Sequence, residues 1–344
     1  MMAAGARAAA GRAWMTELGV ALMGHGLPAR ATEWAAAAER AGLGSLWIPE
    51  DHFHPGAFTL AAAAAAVTRR IAIGLGVVNV YTRHPALLAM ETSALAGLAP
   101  GRVVLGLGSS NRRWIEGQMA LPFKTPLRGL REGTEIVRGL LAGRRLTAAG
   151  ECFSVHDVAL EAPPPEPVPI LLGVKGPRAL ALAAEIADGV HGSVLTSPAH
   201  VRRLRGATAA RARGAFPVVA YVPVAVSDDR REARAWIRPL VARYLGALHG
   251  QSILEDAGYD AARTQPFREA LLAGRPAPDL VSDEAIDTFA AAGSPADCRA
   301  ALARWAEAGL DAAIAVVPAA ADLGRQLERL GREIAPAWKE IRCR

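Results

Sequence analysis

Four polar clusters in this chain each follow a short apolar run, and each holds residue types that can do chemistry. Glu50-Asp51-His52-Phe53-His54 follows SLWI, and Asn79 to His84 follows IAIGLGVV. GLGSSNRRW (106–114) and GVKGPRA (173–179) end two further runs. His52 and His54 have the spacing of a metal-ligand pair, and His191 could add a third ligand. No second histidine pair and no clear bridging carboxylate or lysine completes that set, so metal-dependent hydrolysis is the weaker reading. GLGSSN lacks the third glycine of a dinucleotide fingerprint, and no acidic residue follows at the spacing such a site needs. No phosphate-binding G-x-x-x-x-G-K-[ST] loop occurs. GVKGP is a strand end, two glycines and a helix start. Its free N–H groups, with the charge of Lys175, could hold a phosphate, or it could be only a tight turn. Pro85 suits the first turn of a helix, which leaves His84 as either its cap neighbour or a substrate contact.

The elements that must position these residues alternate regularly. Apolar runs at 17–23, 45–50, 71–78, 102–108, 168–174, 188–195, 217–226 and 312–318 are each followed by an amphipathic or alanine-rich helical stretch. Strands covered by helices on both faces read as continuous apolar runs. Gly42, Gly189 and Gly309 sit at helix-to-strand joints, where a left-handed helix end is expected. Eight such units predict an α/β fold, a (β/α)8 TIM barrel, with a doubly wound sheet as the rival. Residues 16–344 read as one domain and residues 1–15 as a disordered leader. Insertions are expected after barrel strands 4 and 7. Residues 143–167 read as an extended excursion with a proline-rich end, and 250–292 as small helices forming a lid, a pocket wall or a dimer contact. In such barrels functional residues collect at the C-terminal ends of the strands, where all four clusters fall.

Composition narrows the functional classes. The chain has 344 residues, 51% hydrophobic and 21% charged, with a formal net charge of +6. No run approaches the ~18 consecutive apolar residues of a membrane span. The first fifteen residues lack the apolar core of a secretory signal. Cys152, Cys298 and Cys343 are odd in number and far apart, which fits a reducing compartment, the cytoplasm. Arginine clusters at 202–213 and 228–238 are interrupted by few aromatics, and the second carries acids at helical spacing, so solvated helix faces are favoured over nucleic-acid binding.

WIPEDHF (47–53), residues 76–110, VPILLGVKGPRALALAAEIADGV (168–190) and residues 293–318 together resemble the bacterial luciferase-like superfamily. They are most similar to its deazaflavin-dependent branch, typified by methylenetetrahydromethanopterin reductase. The resemblance implies a (β/α)8 barrel and a cis peptide at Gly76–Val77 supporting the central ring of a flavin or deazaflavin. Asn79 would line the polar edge of that ring. Gly108, Ser109 and Ser110 would lie along the polar side of the cofactor. Gly173, Val174, Lys175, Gly176 and Pro177 would cradle its phosphate. Asp51 would orient His52, and a neutral His52 would shuttle a proton. The branch often places a carboxylate after strand 4. Here Asn111 stands there, which leaves the proton donor open and makes Asn111 and His84 candidate substrate contacts.

The resulting expectation is a coenzyme F420-dependent oxidoreductase that moves hydride between the deazaflavin and a small organic substrate. The nearest alternative is an FMN-dependent monooxygenase using dioxygen and a separate flavin reductase. Metal-dependent hydrolysis and non-catalytic flavin binding are the alternatives of other classes. A homodimer is the expected assembly, with no nucleic-acid or membrane partner and no metal.

Overall fold

The computed structural model describes residues 13–51, 53–209 and 216–343. Residues 1–12 of the expected leader and the candidate base His52 lie outside the described residues. The strands in chain order are β1 (Gly19–Ala21), β2 (Ser45–Ile48), β3 (Ala72–Asn79), β4 (Val103–Gly108), β5 (Leu146–Ala149), β6 (Ser154–Val158), β7 (Ile170–Leu172), β8 (Gly189–Gly192), β9 (Val218–Val226), β10 (Ala291–Gly293) and β11 (Ala312–Val316). Eight of them close a parallel barrel in the order β1-β2-β3-β4-β7-β8-β9-β11, with β11 returning to β1. These are the eight runs expected from the sequence, and helices intervene between them. Each barrel strand is buried along almost its whole length because helices cover the outside and side chains fill the inside.

The barrel interior is built by Trp47, Ala72, Val104, Leu171, Val219, Tyr221 and Ile314, with Trp14 packed among them. A second, larger cluster lies between barrel and helices. Both expected insertions have structure of their own. β5 and β6 pair antiparallel as a hairpin whose turn is held from outside by one residue. Glu132, on the helix Pro126–Leu141, accepts the backbone N–H of Glu151, Cys152 and Phe153 at 3.1, 2.8 and 3.0 Å. The second insertion forms helices at Ser252–Glu255, Ala261–Leu272 and Asp283–Phe289, and then one strand the sequence pattern did not predict. That strand, β10, extends the sheet along the far half of β9, pairing Ala291 with Val224 and Gly293 with Val226.

The N-terminal pole of the barrel is closed by half-buried carboxylates, their arginine partners and the buried Arg102. Glu39 accepts N–H groups from Arg69, Arg70 and Ile71 as the chain enters β3. Asp188 accepts from Ile170 N at 2.8 Å and from Arg138 at 3.0 Å at the start of β7. Asp311 does the same for β9, accepting from Val218 N at 2.8 Å and pairing with Arg205 and Arg342. The buried Arg102 guanidinium bonds the Ile71 and Thr68 carbonyls and the Thr68 hydroxyl.

One joint differs from expectation. Gly42 and Gly309 do occupy the left-handed region, at φ 77° and 99°. Gly189 does not have a positive φ; it opens β8 and is glycine for lack of space, since a Cβ there would lie 2.6 Å from the Pro217 carbonyl.

Candidate functional site

Three rings from three strands make the floor beneath the barrel mouth. Trp47 on β2, His191 on β8 and Tyr221 on β9 are at most 4% exposed. The rings pack edge to face, with centroids 4.9 Å apart for Trp47–His191 and 4.5 Å for His191–Tyr221. All three converge on Gly76: a Cβ there would stand 2.6 Å from the Tyr221 hydroxyl and 2.8 Å from both His191 Nε2 and Trp47. The Tyr221 hydroxyl donates to the Gly76 carbonyl at 2.5 Å. His191 Nε2 is buried with no hydrogen-bond partner among the described residues, and burial holds the imidazole down at about 4, so it is neutral at ordinary pH. Burial raises the Tyr221 phenol well above its usual range, helped by Tyr244 and the charge of Asp51; the same two effects, burial and Asp51, bring Tyr244 to about 12. Asp51, half-buried at the end of β2, is thus within electrostatic reach of both phenols.

Above this floor β3 departs from regular pairing. Its register with β2 ends at Leu75, and its register with β4 slips between Leu75 and Val78. Gly76 and Val77 therefore belong to neither ladder, and the Gly76–Val77 peptide is cis. The Val77 side chain crosses to the neighbouring strands, where a Cβ on Gly106, Gly108 or Gly173 would stand 2.8, 2.9 or 3.0 Å from it. Gly108 and Gly173 are thus small because Val77 occupies their side-chain space. Val77 thus ties the end of β3 to β4 and β7 at Gly106, Gly108 and Gly173. Ser109 and Ser110 continue from Gly108, with Ser110 at a φ of 58°.

The polar cluster after β3 is mostly engaged with itself. Asn79 is 4% exposed. Its amide nitrogen donates to Glu50 at 3.2 Å, and its oxygen accepts from Tyr81 N and Thr82 N at 3.0 and 2.9 Å. Arg83 pairs with Glu50 and with Glu91. Burial raises the Glu91 carboxyl, with Arg83 opposing that shift and Glu50 adding to it. The side chain of Asn79 thus secures a turn. His84 is exposed and caps the helix Pro85–Leu98, its Nδ1 accepting from Ala86 N at 3.2 Å. Asn111, also exposed, caps the turn after β4 by accepting from Trp114 N at 3.1 Å. Of the two local roles open to His84, the cap is the one with a bond behind it.

The segment Gly173–Pro177 leaves β7 and starts the helix Pro177–Ile186, whose N-cap residue, Gly176, makes no side-chain capping bond. Lys175 is half-buried, and among the described residues its side chain bonds Gln251 Oε1 at 2.9 Å, a neutral partner from the second insertion. Burial without a carboxylate brings its ammonium down to about 8. Gln251 is held in place by the short helix that follows it. Asp256, at the end of that helix, pairs with the buried His200 at 2.7 Å and with Arg203 at 2.6 Å.

Sequence reasoning missed Trp47, Tyr221, Tyr244, Gln251 and the pairing of Glu50 with Asn79. His191, a metal candidate from sequence, lies instead between two aromatic rings. Among the described residues no three His, Cys, Asp or Glu side chains are grouped as metal ligands. Nor is any helix among them long and apolar enough to cross a membrane.

Residues 12–312 match the family model of luciferase-like monooxygenases. A 5,10-methylenetetrahydromethanopterin reductase from Archaeoglobus fulgidus is 31% identical over 317 residues, covering 88% of this chain and 93% of its own length. The corresponding reductase from Methanolobus tindarius is 28% identical, covering 88% and 94%. Among solved structures, the coenzyme F420 dependent tetrahydromethanopterin reductase from Methanopyrus kandleri superposes with a TM-score of 0.84 at 24% identity, over 94% of this chain and 99% of that one.

Proposed function

The chain belongs to the luciferase-like monooxygenase family, and from that premise we propose that it is a coenzyme F420-dependent oxidoreductase acting on a small organic substrate. The observation that carries this reading is the bulge of β3, which sets Gly76 and Val77 outside both ladders and packs Val77 against Gly108 and Gly173 at the mouth. Relatives named as reductases of 5,10-methylenetetrahydromethanopterin, similar over nearly nine-tenths of the chain, support the same reading.

The residues present suit such a group. Lys175, with no carboxylate partner among the described residues, and the uncapped start of the helix Pro177–Ile186 favour an anion where the cofactor phosphate would sit. Gly173, Val174, Gly176 and Pro177 would supply the backbone around it. Gly76, Val77 and Asn79 would lie beneath and beside the ring, with Gly108, Ser109 and Ser110 along its polar side. A bound deazaflavin supplies two-electron hydride chemistry, and the chain positions the reactants and excludes water. In this proposal His52 moves a proton to or from the substrate and Asp51 holds it in one tautomer. Asn111 caps a turn and is assigned no proton; His84 and Asn111 stay candidate substrate contacts at the rim. A cytoplasmic setting suits the free thiols of Cys152 and Cys298.

The proposal extends to a homodimer. The adjoining helices Ala57–Val67 and Pro85–Leu98 expose Val67, Leu87, Met90 and Leu98 by 42–56%, the kind of apolar face that a second copy would cover.

A paired titration of the purified chain with coenzyme F420 and with FMN tests the cofactor. Selective binding of F420 is expected. Selective binding of FMN would move the assignment to an oxygen-using monooxygenase served by a separate reductase, and binding of neither would overturn the reading.

A further inference from the structure

We infer that Tyr221 is a positioning residue for the cofactor ring system, acting through the backbone of β3; this rests on the reading of the mouth as a cofactor site. Gly76 and Val77 have no strand partner on either side. A backbone segment released from both ladders needs another restraint if it is to present a fixed surface to a ligand. The Gly76 carbonyl finds that restraint across the barrel, 145 residues away in sequence, in the Tyr221 hydroxyl at 2.5 Å.

The restraint is itself held. Tyr221 is 4% exposed, and its ring packs against His191, which packs against Trp47. The Trp47 indole is fixed in turn by a 2.9 Å bond to the Ser45 hydroxyl. Space for this chain of contacts exists only because residues 74 and 76 are glycine: a Cβ on Gly74 would lie 2.3 Å from the Trp47 ring, and one on Gly76 would meet all three side chains. Burial keeps the phenol protonated, so it is available as a hydrogen-bond donor to the Gly76 carbonyl. A donor aimed at one carbonyl fixes the height and tilt of the bulge, and with it the place of the Val77 side chain between Gly108 and Gly173. Both of those glycines lie on the surface assigned to the cofactor. A loose support shell is the common reason a formed site binds poorly.

Tyr221→Phe removes the hydroxyl and keeps the ring. Wild type and variant would be compared by thermal melting without ligand, by titration with F420, and by the absorption spectrum of the bound deazaflavin. The expected result is about tenfold weaker binding and a shifted bound spectrum in a variant that still folds. A purely structural role would lower the melting temperature and leave the bound spectrum unchanged; that result, or equal affinity, overturns the role of Tyr221 while the cofactor reading stands. Failure of wild type to bind F420 or FMN overturns both. Gly76→Ala approaches the same contact from the bulge side and covers the case in which Tyr221→Phe does not fold. It is also expected to weaken binding, and unchanged affinity in that variant would equally overturn the inference.

Discussion

At the N-terminal pole of the barrel Glu39, Asp188 and Asp311 each accept backbone N–H groups where a strand begins, and Asp311 also pairs with two arginines. At the C-terminal pole Lys175 meets a neutral amide, His191 Nε2 has no hydrogen-bond partner among the described residues, and Tyr221 supports a glycine carbonyl that belongs to no ladder. The N-terminal pole thus pairs each of these carboxylates, whereas the mouth combines paired groups, Arg83 with Glu50 and Glu91, with Lys175 and His191, which have no charged partner among the described residues. Burial with full partners fixes strand entry and register. Burial without them shifts protonation, which is the condition a binding site uses and a purely structural site avoids.

The sharpest way to break this comparison is at the closed pole. Asp311→Ala leaves Arg205, Arg342 and Val218 N without their carboxylate and should cost roughly 3–5 kcal/mol in denaturant unfolding, with cofactor affinity of the folded protein unchanged. A loss of affinity with little loss of stability would merge the two poles. Next in size is acid sensitivity from the open pole. His191 titrates at about 4 when folded and near 6.5 when unfolded, so the unfolded chain takes up its proton first. Stability from this residue is intact above pH ~6.5 and falls by up to about 3 kcal/mol as pH drops toward 4. Urea midpoints of wild type and His191→Asn between those limits should show a flatter slope in the variant; parallel slopes would refute the assignment.

Smaller effects belong to the rim. Lys175 loses its charge as pH rises through about 8, so affinity for an anionic cofactor should fall above that pH. Lys175→Ala should bind about tenfold more weakly, a change near 1.4 kcal/mol, and should lose the pH dependence. A titration at pH 7 and pH 9 checks both. His84→Ala removes a helix cap and should cost about 0.5 kcal/mol of stability. A large fall in turnover at unchanged stability would return His84 to substrate contact.

The barrel was legible because each of its strands is a continuous apolar run with a helix behind it. β10 was not, because Ala291-Ala292-Gly293 has too few and too small side chains to show a period; its place is set by the open far half of β9. The mouth was legible as clusters and not as contacts. Gly108 and Gly173 were singled out by motif, yet the reason for their size is Val77, which lies far from both in sequence. Tyr221 was hidden inside PVVAYVPVAV, where an inward ring reads like any other core residue. Asn79 stood out as polar at a strand end, but its partner Glu50 comes from a different strand, and no local spacing links them.

The hairpin of β5 and β6 has a consequence for motion. Its three turn amides share one acceptor, the Glu132 carboxylate, whose protonation those same bonds disfavour; burial acts in the opposite sense, and the net pKa lies below the ordinary value. Because the three amides share one side chain, displacement of the Glu132 carboxylate should release all three together without opening the barrel. In hydrogen exchange these three amides should share one opening free energy, and Glu132→Ala should remove their common protection.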